Sequence, residues 1–165
     1  MTEQPPFDPY ALLVALDRER VSYVVVGGFA RVVHGSGETT ASLDVVPSLR
    51  EENLRRLARA FEQLEAPVTV EQLAAAEPIT ASTRAGELRI VPTPWGTGGY
   101  DDLRRRAVRE NLGQGVRPAV ASVVDCVRML DASEREVDAD HLLRLRRMME
   151  LEHQLVPQRG LGIDI

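Results

Sequence analysis

Two adjacent glycines, Gly27 and Gly28, close the β-branched run VSYVVV, and a short polar stretch later Ser42 and Asp44 stand two apart in SLDVVP. Each half of this pattern has a chemistry. A glycine pair between a buried strand and a helix start lets an anion approach backbone N–H groups, and the helix adds the positive end of its dipole. Residues two apart on a strand share a face, so Ser42 and Asp44 present a hydroxyl and a carboxylate together. Each half also has an ordinary use. A glycine pair is a structural turn, and an aspartate near a strand end is satisfied by backbone donors.

Other reactive side chains show less pattern. His34, His141 and His153 lack the i, i+4 spacing that two ligands on one helix need. Cys126 falls on an apolar helix face and reads as a buried hydrophobe. Arg104, Arg105, Arg106 and Arg109 cluster, as do Arg144, Arg146 and Arg147. Such clusters are solvated faces or patches for RNA, tRNA or a triphosphate. Trp95, in the glycine-rich loop PWGTGG, either anchors that loop or offers a ring to a base.

The elements that position these residues follow from capping and periodicity. Asp8-Pro9 opens a helix to about Arg20 with Leu12, Leu13 and Leu16 on one face. The consecutive valines 24–26 predict a strand buried on both faces. Phe29–Val33 reads as a short helix closed by Gly35, and 42–47 as a second strand. Ser48 and Glu51 form a capping-box pattern before a helix to about Leu64, with Leu54, Leu57 and Phe61 in phase. A short helix follows at 70–76, then a hairpin of PITAST and GELRIVP turning at 84–86. Residues 100–110 read as a basic helix and VRPAVAS as a short strand. Helices follow from Ser122 to about Leu130 and from Asp138 to Leu151. The last carries Leu142, Leu145 and Met149 inward, and residues 155–165 read as an irregular tail. This order predicts an α/β (α+β) fold: a mixed β-sheet flanked by helices, with C-terminal helices, in one domain over 1–165 with its core at about 8–150.

Composition narrows the classes. The 165 residues are 44% apolar and 27% charged, enough for a packed core. A net charge of −5 excludes a generally basic nucleic-acid coat, while leaving local patches open. All 20 basic residues are arginine, so no lysine-dependent mechanism operates; a GC-rich genome is the plain cause. One cysteine excludes a disulfide framework and a cysteine-based zinc site. There is no membrane-length apolar run and no signal-peptide pattern at MTEQPPFDPY, which gives a cytoplasmic reading with no membrane partner.

The central stretch resembles the nucleotidyltransferase superfamily, the polymerase-β-like fold, and within it the AbiEii-type toxin family of toxin–antitoxin systems. The likeness rests on Gly27-Gly28-Phe29-Ala30, His34-Gly35, Thr39-Thr40, Leu43-Asp44 and Pro47-Ser48. It continues through Glu52-Asn53-Leu54, the hairpin with Gly86, Tyr100, Met129, Arg135, Asp138 and Asp140, and covers roughly residues 8–150. The resemblance implies phosphate binding at Gly27, Gly28 and Phe29. It also implies two Mg²⁺ ions held by three carboxylates, which clamp the attacking and leaving oxygens of phosphoryl transfer.

The chain departs from that pattern. Asp44 remains as the remnant catalytic and metal-binding carboxylate, but Ser42 stands at the first carboxylate position and Arg89 at the third. A family lysine near Met129 is Leu130 here. Glu87, two before Arg89 and on its face, is one candidate substitute, and Glu38 in the polar approach is another. Arg89 itself is a candidate phosphate grip. Three functions therefore stand open. One is a catalytically impaired pseudoenzyme that retains nucleotide or partner binding. Another is an active Mg²⁺-dependent transferase moving a nucleoside monophosphate from a triphosphate to RNA, tRNA or a protein hydroxyl. The third is a pure protein-interaction module.

Overall fold

A computed structural model describes residues 6–133 and 139–163. In chain order its elements are α1 (Pro9–Arg18), β1 (Tyr23–Val26), α2 (Gly27–Val33), β2 (Ser42–Pro47), α3 (Glu51–Gln63), α4 (Val70–Ala74), β3 (Ile79–Thr83), β4 (Gly86–Ile90), α5 (Tyr100–Leu103), β5 (Val108–Arg109), β6 (Ala119–Val120), α6 (Val123–Ser133) and α7 (Ala139–Ile163). The strands form one six-stranded mixed sheet in the order β3-β4-β2-β1-β6-β5, flanked by helices. This is the α/β architecture expected from the sequence.

Local chemistry explains the elements nearest the site. Asp8 caps α1 by accepting a hydrogen bond from Ala11 N at 3.1 Å, with Pro9 at the first helical position. All four residues of β1 are buried, and the strand lies inside the sheet between β2 and β6. Strand β1 runs antiparallel to β2 and parallel to β6, while β2 runs parallel to β4. One apolar cluster extends from Leu12 to Leu145. Leu43, Val45, Leu57, Phe61 and Leu88 are fully enclosed in it, each contributing roughly 1.5–3 kcal/mol.

Three local expectations are corrected. Helix α3 has no side-chain cap: its N-cap is Arg50, and the Ser48–Glu51 box does not form. Asn53 fixes the helix start instead. Its Oδ1 accepts from Ser22 N at 2.7 Å, and its Nδ2 donates to the carbonyls of Ser22 (3.0 Å) and Ser48 (2.8 Å).

The basic helix expected over 100–110 stops after Leu103. Arg106 is drawn to the buried Asp125, and Val108 and Arg109 pair with β6, so tertiary contacts override a segment with little apolar face. Helix α7 extends to Ile163, across most of the segment expected to be irregular. That segment holds Pro157 and two glycines, whose low helix propensity is only a weak prior. Leu145 is fully buried on α7, with Leu142 and Met149 partly so. Arg135, Asp138 and the side chains of Asp140 and His153 lie outside the described residues. No described helix is long and apolar enough to cross a membrane.

Candidate functional site

The antiparallel β1–β2 register sets Val26 across from Asp44, so the chain turns out of the sheet beside this carboxylate. Gly27 makes that turn with φ +70°. A Cβ at Gly27 would lie 2.6 Å from Asp44 Oδ2, so only glycine admits both the backbone conformation and the carboxylate. A Cβ at Gly28 would meet Thr40 Oγ1 at 3.1 Å and Glu38 Oε1 at 3.3 Å. The glycine pair is therefore held between Asp44 on one side and the 38–40 segment on the other. The Phe29 ring turns away and packs edge-on against Phe7, centroids 6.3 Å apart.

Ser42 Oγ donates to Asp44 Oδ1 at 3.0 Å, the shared face expected of residues two apart. Across the parallel β2–β4 ladder, Glu87 stands opposite Ser42 and Arg89 opposite Asp44. Arg89 Nε donates to Glu87 Oε1 at 2.7 Å. Burial pushes the Asp44 carboxyl above its ordinary range, against the opposing pull of the Ser42 hydroxyl and the Arg89 and Arg31 charges.

Glu38 folds inward. Its side chain is 6% exposed, and Arg31 grips it through two 2.9 Å hydrogen bonds, Nε to Oε2 and Nη2 to Oε1. Ser36 Oγ donates to Oε2 at 2.8 Å. Burial alone would raise the Glu38 carboxyl, but these donors and the Arg31 charge outweigh it and hold the group low. Arg31 escaped the sequence reading. Its signal was position: four residues after Gly27 on α2, one helical turn along the glycine face.

These residues line an open cleft of about 480 Å³. Gly27, Gly28, Arg31, Glu38, Ser42, Asp44 and Arg89 belong to its polar part, whereas Glu87 is not among its lining residues. Trp95 lies at the cleft and is 66% exposed, so it is not the buried loop anchor that was one of its two readings. Met129, Leu130 and Cys126 supply apolar wall. The Cys126 thiol is buried and pushed up to about 12, chiefly by desolvation, as befits a packed hydrophobe. His34 serves at the end of α2, its Nε2 2.7 Å from the Ala121 carbonyl.

The resemblance implied two magnesium ions, and the donor set does not fit them. Asp44 is the one carboxylate at the three expected positions. Glu38 has both oxygens engaged by Arg31 and Ser36. No group of three His, Cys, Asp or Glu side chains among the described residues is arranged to hold a metal ion. A guanidinium about 5 Å from a dication, at an effective dielectric near 20, opposes it by roughly 6 kcal/mol before solvent screening. Arg89 is half exposed, so screening reduces that figure without changing its sign.

The arginine cluster is dispersed. Arg104 pairs with Asp101 at 3.3 Å, Arg106 with the buried Asp125 at 3.0 Å, and Arg109 donates to the Arg117 carbonyl at 3.1 Å. These side chains do not share one helical face, because the helix that would have aligned them ends at Leu103.

The six-stranded mixed sheet with the cleft at its glycine turn is an α/β fold that a solved structure shares. The solution structure of the antibiotic-resistance factor ANT(2'')-Ia is similar to this chain with a TM-score of 0.55 at 15% identity, covering 94% of this chain and 92% of that one. At this identity the likeness concerns the fold alone. No protein-family model matches the chain, and no curated protein sequence matches it.

Proposed function

We propose that this chain is a degenerate relative of the AbiEii-type nucleotidyltransferases, a cytoplasmic pseudoenzyme that binds a nucleotide or similar phosphate-bearing ligand without metal-dependent transfer. One observation carries the reading: Arg89 occupies the β4 position opposite Asp44, where the family chemistry requires a third carboxylate. The glycine turn needs no side chain to receive a phosphate, so losing the carboxylates leaves it intact. Gly27, Gly28 and the backbone of Phe29 would meet the phosphate, with Arg89 as a substitute cation. Trp95 offers an exposed ring for a base at the same cleft.

The active-enzyme reading needs Glu87 or Glu38 as substitute metal ligands. Glu87 is bonded to Arg89, and Glu38 is bonded to Arg31. RNA contact through the arginine cluster is the weaker reading, since Arg104, Arg106 and Arg109 each hold a partner within the chain.

The test is to incubate wild-type protein with magnesium, each labelled nucleoside triphosphate and a tRNA pool, beside a Ser42→Asp, Arg89→Asp double variant. We expect no labelling by the wild type, and nucleotide binding that Gly28→Val abolishes. Robust wild-type labelling, lost on Asp44→Ala, would contradict the reading and establish an active transferase. Failure of every nucleotide to bind folded protein would favour a pure protein-interaction module.

A further inference from the structure

Arg31 and Glu38 meet in an unusual place. An ion pair between buried side chains is ordinarily scaffolding, but both members of this pair line the open cleft. Arg31 projects from α2, and its side chain is 15% exposed. The chain leaves α2, turns at Gly35 (φ +89°) and Gly37 (φ +76°), and returns a carboxylate onto the helix it has just left. That carboxylate lies over the glycine turn, 3.3 Å from where a Gly28 Cβ would stand. Its hydrogen-bond donors are two guanidinium nitrogens and the Ser36 hydroxyl. A guanidinium fork and a hydroxyl suit a phosphate as well as they suit a carboxylate, because both anions offer paired oxygens.

We propose that Arg31 is a second phosphate-recognising cation of the cleft, beside Arg89, and that Glu38 is its internal stand-in, which a phosphate-bearing ligand displaces on binding. This rests on the phosphate-binding reading above and adds a residue that recognises the phosphate. Displacement exchanges one set of charge-assisted bonds for another. Apparent affinity for the ligand is thereby reduced by the strength of the Arg31–Glu38 contact. The glycines on either side of Ser36 allow the carboxylate to swing out while Arg144 Nη1, 2.9 Å from the Ser36 carbonyl, keeps the loop base on α7.

Isothermal titration of the full chain with ATP and with inorganic pyrophosphate, in EDTA, tests this. Glu38→Gln should bind both probes about tenfold more tightly than wild type, the effect of freeing one charged hydrogen-bonding group. Adding Arg31→Ala to that variant should abolish the gain. Ser36→Ala keeps the ion pair and loosens it, and should give a gain of about two- to fourfold; it decides the matter if Glu38→Gln does not fold. Equal or weaker binding by the folded Glu38 variant overturns the displacement and leaves the nucleotide-binding reading standing. A gain for ATP alone overturns the assignment of Arg31 to phosphate. No binding of either probe by any folded variant overturns both the displacement and the reading beneath it.

Discussion

Arg89 lies directly across the parallel β2–β4 ladder from Asp44, two residues along from the facing pair Ser42 and Glu87. The four side chains form a polar cluster on the sheet in which each has a partner. Ser42 donates to Asp44, and Arg89 donates to Glu87. Two carboxylates against one guanidinium leave a formal charge of −1, less than three carboxylates would supply. A site built for dications would concentrate negative charge here instead.

The two cleft carboxylates should respond to pH with opposite signs. Asp44 is pushed above its ordinary 3.8 by burial. The folded state therefore keeps a proton the unfolded chain releases, and stability falls as pH rises through the window from about 3.8 to the higher folded value. At pH 7 its charge is a cost, and Asp44→Asn should raise the urea midpoint. Glu38 is held below its ordinary 4.5. Its contribution is present above that value and is lost as pH falls through the lower folded one, so Glu38→Gln should lower the midpoint at pH 7. The difference should shrink toward pH 3. Destabilisation by Asp44→Asn, or no effect of Glu38→Gln at pH 7, would contradict these assignments.

Gly27→Ala should destabilise by roughly 2–4 kcal/mol, combining a strained left-handed backbone with overpacking. The reason is the 2.6 Å approach to Asp44 Oδ2. Gly28→Ala should stay within about 1 kcal/mol of wild type, since Gly28 is helical without a positive φ and its neighbours are side-chain atoms that can shift. Urea denaturation of both variants checks the contrast, and equal effects would refute it.

Asn53 is 5% exposed and ties α3 to the start of β1 and the end of β2. Asn53→Ala strands Ser22 N and the Ser48 carbonyl, while the Ser22 carbonyl keeps its bond from Ser48 N, and should cost roughly 2–3 kcal/mol in chemical denaturation. A loss under about 0.5 kcal/mol would mean that water replaces these bonds.

Much of this arrangement was legible in the sequence because it depends on short-range pattern. Alternation and β-branching mark 42–47, the valine run marks β1, and the Asp8-Pro9 start marks α1. The Ser42–Asp44 face and the candidacy of Glu87 and Arg89 followed from the two-residue period of strands. What the sequence hid was tertiary. The Ser48–Glu51 box yields to the Asn53 contacts across 31 residues. The 100–110 helix yields to Asp125 and β6. Arg31 resembled any helical arginine until the 35–38 loop brought Glu38 back upon it. Trp95 was open between two readings, since hydrophobicity alone does not tell a loop anchor from a cleft wall.

On the proposed function, this cleft receives phosphate through backbone and guanidinium groups rather than through metal ions. Titrating wild-type protein with ATP in EDTA, and again in excess magnesium, tests it most directly. We expect binding in EDTA that is at least as tight as binding with magnesium, and that Gly28→Val abolishes in both. Binding that appears only when magnesium is supplied, and disappears in Asp44→Ala, would contradict it.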